Sequence, residues 1–183
     1  FLLIFFSKEI LILWLGDDII AENAYLILSF LVFGTLLNGL VSMPITTANA
    51  YGWPMLTTYT NLAQAIVFIP LIIFLVNKFN GLGASIGWVI INSTYILITV
   101  PIFFKKYFKN QKKSWYLYDI IFPFIVSFFI CLISKLTAPE FNSILAIIFW
   151  LIMTATIAII FTAISMSTTR NYLITKFLNF GNS

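Results

Sequence analysis

From Asn23 to Val76 the chain runs for 54 residues without a charged side chain. A helix that crosses a bilayer needs about 20 mostly apolar residues. The run therefore holds two such helices, parted at Tyr51-Gly52-Trp53-Pro54, where turn-forming residues cluster. The first of them, predicted over 23–50, is not uniformly apolar. Thr35, Asn38, Ser42, Thr46 and Asn49 recur at intervals of three and four, the spacing that gathers side chains on one helical face. Hydrocarbon cannot satisfy such groups, so that face should meet protein or water. Pro44 lies in the same segment and frees a backbone carbonyl. Leu36, Leu40 and Met43 occupy the opposite side.

Composition excludes a soluble fold. Of the 183 residues 61% are hydrophobic and 9% charged, against about 45–50% and about 25% in soluble domains. The chain is predicted to be an all-α integral membrane protein. It has no histidine and one cysteine, Cys131, which removes an intrachain disulfide, a His/Cys zinc site and any histidine-dependent triad. No metal site and no catalytic residue is predicted. The net charge of +4 comes mainly from one lysine cluster, which speaks for membrane topology and not for nucleic acid.

Periodicity and punctuation predict helices over about 1–15, 23–50, 55–76, 84–104, 119–136 and 142–166, with an interfacial tail over 167–183. The first is read as a truncated span: no initiator Met and no basic segment precede Phe1, so the chain is expected to be a piece of a longer protein. Residues 16–22 form an acidic connection and 77–83 a turn rich in Asn and Gly. Lys105, Lys106, Lys109, Lys112 and Lys113 make one basic loop. With that loop in the cytoplasm, alternation places the C-terminus there too, which is the asymmetry the positive-inside rule favours.

Several motifs dissolve on inspection. Gly83-Ala84-Ser85-Ile86-Gly87 matches a serine nucleophile pattern, but its context is the start of a membrane helix, where small residues four apart permit close packing. Asn92-Ser93-Thr94 has the form of a glycosylation sequon in mid-helix. Other polar groups fit two readings. Thr57, Asn61 and Gln64 share a face of one predicted helix, and Ser85, Asn92 and Thr99, flanked by Trp88 and Tyr95, share a face of the next. Such groups either bond helix to helix or line a cavity suited to sugar hydroxyls. On the second reading the substrate-facing candidates are Asn38, Ser42, Thr46, Asn49, Asn61, Gln64, Asn92 and Tyr95. Lys8 and Glu9, in the truncated span, are candidates for charge coupling or for a self-paired couple at a helix end. The lysine loop anchors topology and attracts anionic lipid, or grips a phosphate-bearing substrate.

Taken together, Ile12-Leu13-Trp14-Leu15-Gly16 before an acidic stretch, a long helix ending in Ala50-Tyr51-Gly52, and Gly81-Leu82-Gly83-Ala84-Ser85 opening the helix after next resemble the C-terminal half of polysaccharide flippases. These are the O-antigen and teichuronic-acid type exporters of the multidrug/oligosaccharidyl-lipid/polysaccharide superfamily. The resemblance runs from about Ile10 to Phe104. That family usually places a basic residue after the glycine of the Gly52 turn, and here Trp53 stands there. The resemblance implies one six-helix lobe of a two-lobe transporter of twelve or more helices, working by alternating access. It implies a lipid bilayer, an undecaprenyl-pyrophosphate-linked glycan and an N-terminal half of the same chain as partners, no cofactor beyond ion or proton coupling, and a bacterial inner-membrane location. A cation-coupled multidrug exporter of the same superfamily and a non-transport scaffold subunit are the alternatives.

Overall fold

A computed structural model of the chain describes residues 1–141 and 143–166; the predicted tail over 167–183 and the predicted start at Asn142 lie outside it. Every regular element among the described residues is helical: α1 Leu2–Phe5, α2 Ser7–Leu15, α3 Asp18–Ala50, α4 Met55–Thr94, α5 Val100–Tyr107, α6 Lys112–Ser114, α7 Phe122–Leu136 and α8 Ile144–Ser165. Among the described residues, four continuous helical stretches are long and apolar enough to cross a membrane. The chain is an all-α membrane protein. Two compact units divide it, one of Ser7–Lys112 and one of Phe1–Phe6 with the described residues of Lys113–Ser183.

In the first unit, α3 begins at Asp18, ahead of the predicted Asn23, because the acidic stretch is a helix start and not a loop. Gly16 turns the chain at φ 67°. The Asp17 carboxylate then accepts from the Ile19 and Ile20 amides at 2.8 and 3.0 Å, capping amides that the helix leaves unpaired. The other end closes as cleanly. Trp53 N–H reaches the Ala48 carbonyl at 2.9 Å and Gly52 N–H reaches Asn49 at 3.0 Å. Gly52 sits at φ 71°, a conformation that costs glycine little.

The expected turn over 77–83 is shorter than its composition suggests. Helix persists to Phe79, and a single residue, Asn80 (φ 52°, ψ −133°), breaks α4 into two limbs. Those limbs lie against each other. A Cβ on Gly83 would come within 2.0 Å of the Leu75 carbonyl oxygen, and one on Gly87 within 2.6 Å of Ile72 Cδ1. The glycines are thus packing devices, and the buried Ser85 donates to the Leu82 carbonyl at 2.8 Å. Beyond Thr94 the second limb widens into a π-helical segment, Tyr95–Thr99, before α5. A second such segment, Trp115–Ile121, leads into α7, so that helix begins before the predicted Asp119. Each widened segment ends two residues before a proline, Pro101 or Pro123. Proline lacks the amide for the usual ladder and crowds the carbonyl four residues back. Widening the turn moves Val100 N–H onto the Tyr95 carbonyl and Phe122 N–H onto Leu117.

The second unit holds α1, α7 and α8. Phe1, just before α1, and Phe5 on it meet Phe128 of α7 edge-on, with ring centroids 5.5 and 5.4 Å apart. The Ser134 and Thr154 hydroxyls pair α7 with α8. Ser143 caps α8 by accepting from the Ala146 amide at 3.2 Å. Lipid is as apolar as leucine, so such small-residue and polar contacts, more than hydrophobic burial, hold membrane helices together.

Candidate functional site

The polar stripe of α3 is exposed along its whole length: Thr35, Asn38, Ser42, Thr46 and Asn49 all face outward in this chain. Its two halves differ in their bonding. Towards the start of the stripe, Trp88 Nε1–H donates to Thr35 Oγ1 at 3.2 Å, and Asn38 Nδ2–H donates to Asn92 Oδ1 at 2.9 Å. The Trp88 ring lies over Gly34, so close that a Cβ there would stand 2.4 Å from its Cδ1. This half is bound to the second limb of α4. Further along, Ser42 donates to the Gly39 carbonyl and Thr46 to the Ser42 carbonyl, both at 2.8 Å. Those bonds use the hydroxyl protons within the helix and leave oxygen lone pairs facing out.

Of the other polar candidates, Asn61 and Gln64 bond across from the first limb of α4, to Tyr95 and Thr94, whereas Asn92 meets Asn38 of α3. Gln64 Nε2–H donates to Thr94 Oγ1 at 2.9 Å, the Tyr95 hydroxyl donates to Asn61 Oδ1, and Asn92 Nδ2–H also reaches the Trp88 carbonyl at 2.7 Å. Asn61, Gln64, Asn92 and Tyr95 therefore lie in side-chain pairs that join helices. Beside them a mostly apolar crevice of about 240 Å³ opens between the limbs, lined by Thr60, Gln64, Phe68, Leu71, Ile91 and Thr99. Gln64 Oε1 and Thr99 Oγ1 are buried there without hydrogen-bond partners among the described residues. Thr99 belongs to the widened turn forced by Pro101. The sequence placed Thr99 on the polar face with Ser85 and Asn92, and Pro101 two residues downstream marks the widened turn.

The charged candidates separate. The Lys8 ammonium of α2 is paired with the Glu22 carboxylate of α3. Consecutive helical residues point about 100° apart, whereas the turn at Gly16 folds α3 back past α2 and brings Glu22 to Lys8. Lys8, Ile12, Asp18, Ile19, Glu22 and Asn23 line an open hollow of about 650 Å³. Glu9 is half-buried. In the lysine loop, Lys106 lies 3.6 Å from the centroid of the Trp53 ring, so a cation does reach the Gly52 turn, from α5 instead of from the turn itself. Lys105, Lys109 and Lys112 line a separate hollow. Sequence spacing alone revealed neither cross-element pair.

Over 83 residues, 45% of this chain, the sequence is 30% identical to a Shigella flexneri protein named "Putative O-antigen transporter". The aligned stretch spans 20% of that protein's length. No family model matches the chain, and no solved structure matches it.

Proposed function

We propose that this chain forms part of a membrane transporter that moves a lipid-linked oligosaccharide across the bacterial inner membrane by alternating access. The observation that carries the reading is the likeness to the O-antigen transporter, which falls on a chain built of membrane-length helices. The later half of the α3 stripe, from Ser42 to Asn49, supports it. Ser42, Thr46 and Asn49 present oxygen and amide groups on an exposed face of a membrane helix, and lipid is a poor neighbour for them. A further lobe with a hydrated cavity between would satisfy those groups and offer hydrogen bonds to sugar hydroxyls. In this reading the glycan is carried on undecaprenyl pyrophosphate, movement is coupled to an ion or proton, and the C-terminus is cytoplasmic. No catalytic group is required, since transport breaks no covalent bond.

Deleting the gene in its host tests the proposal. Surface polysaccharide should disappear while its lipid-linked repeat unit accumulates in the membrane, and the intact gene should restore export. Normal surface polysaccharide in the deletion strain would refute it.

A further inference from the structure

The five lysines between 105 and 113 form one cluster in the sequence, but the structure divides their work. Lys106 is occupied within the protein, over Trp53 and near Tyr107. Lys105, Lys109 and Lys112 instead surround a hollow of about 330 Å³ with Pro101 and Ile102. All three are exposed, and none meets a carboxylate among the described residues. The hollow is apolar on one side. Ile102 is exposed on the final turns of a membrane-length stretch, and Leu97 and Ile98 continue that exposed apolar surface back along the helix. Tyr51, Trp53 and Tyr107 stack nearby, with Tyr51 and Tyr107 centroids 4.9 Å apart and Trp53 5.8 Å from Tyr107. Amphipathic aromatic rings of this kind gather at the headgroup level of a bilayer.

Three unneutralised ammonium groups beside an apolar strip, at the depth of the headgroups, match one kind of molecule: an anion joined to hydrocarbon. Ammonium groups on flexible stems bind phosphate as point charges and adapt to its position. We propose that Lys105, Lys109 and Lys112 hold the headgroup phosphate of an anionic membrane phospholipid, whose acyl chains descend past Ile102 and Ile98. The occupant is drawn from the bilayer, not from solution, because the hollow opens beside the exposed apolar surface of Leu97, Ile98 and Ile102. Nothing in this depends on what the protein transports.

The test uses the full-length protein reconstituted in phosphatidylcholine bilayers with a trace of spin-labelled phosphatidylglycerol. The labelled lipid should be enriched at the protein over labelled phosphatidylcholine at low salt. Combined Lys105→Gln, Lys109→Gln and Lys112→Gln should remove that preference, by up to about fivefold per lysine, and added salt should weaken it. The matching triple Lys→Arg variant should retain it, which separates loss of charge from loss of fold. Lys106→Gln should leave the preference near wild type. An unchanged preference in the triple Gln variant, or an absence of preference in the wild type, overturns the proposal. So does release of the labelled lipid by millimolar inorganic phosphate at constant ionic strength, which would mark a site for soluble anions.

Discussion

Single residues decide how closely these helices approach. Gly34 is the seat of the Trp88 indole, and Gly83 lets one limb of α4 touch the Leu75 carbonyl of the other. The neighbours differ in how far they can yield. Trp88 is a side chain at the protein surface and can swing aside, whereas the Leu75 carbonyl belongs to a helix backbone. Gly34→Ala should therefore cost about 1–3 kcal/mol, as overpacking usually does, and Gly83→Ala should cost more. Thermal unfolding in detergent, followed by tryptophan fluorescence, ranks the two; an equal or reversed order contradicts the packing described. The Asn38–Asn92 bond is a second residue-level case. Membrane hydrogen bonds average about 0.6 kcal/mol by double-mutant cycles. A cycle of Asn38→Leu and Asn92→Leu should return a coupling of that order, and strict additivity would mean the two side chains do not meet.

At the scale of elements, caps and prolines set the boundaries. Asp17 fixes where α3 starts, so Asp17→Ala should cost about 1 kcal/mol. The Ile19 and Ile20 amides should then exchange hydrogen faster while those in the middle of α3 do not change. Uniform protection before and after the substitution would show that another group caps the helix. The same end of α3 carries the Lys8–Glu22 pair, which is exposed at 44% and 56%. An exposed pair contributes little to stability and is screened by salt. Glu22→Gln should thus lower stability only slightly, and the difference from wild type should fade at high ionic strength. A loss that persists in molar salt would place the pair in a drier setting than its exposure indicates.

For the whole molecule, the division of the α3 stripe turns the functional reading into a contrast between variants. Asn38 is bonded within the chain, whereas Asn49 has an exposed face and no packing role evident at its position. In the full-length protein, Asn49→Leu should leave expression near normal and reduce surface polysaccharide severalfold. Asn38→Leu should lower stability and export together. Quantifying membrane-inserted protein alongside polysaccharide separates these outcomes, and normal export in Asn49→Leu would remove the stripe from the substrate path. Topology is tested at the same scale. A cysteine placed at Lys109 should resist an impermeant thiol reagent in intact cells, and its labelling would invert the proposed orientation.

What the sequence determined by itself was the class of environment and the material of the fold. A charge-free run of 54 residues leaves the backbone no choice but to satisfy itself in helices across a bilayer, and the polar face of α3 follows from spacing alone. The sequence also marked the glycines at 83 and 87 as places of close approach. It did not say what each group would meet. Hydrogen-bond partners such as Asn38 and Asn92, or Thr35 and Trp88, lie more than fifty residues apart, and no local periodicity encodes which faces are apposed. Lys8 meets Glu22 because a turn at one glycine brought α3 back beside α2. The five lysines parted for the same reason: Lys106 projects towards Trp53 while three others line a different hollow. Spacing fixes the face on which a side chain stands, and only the packing of distant segments fixes what that face is against.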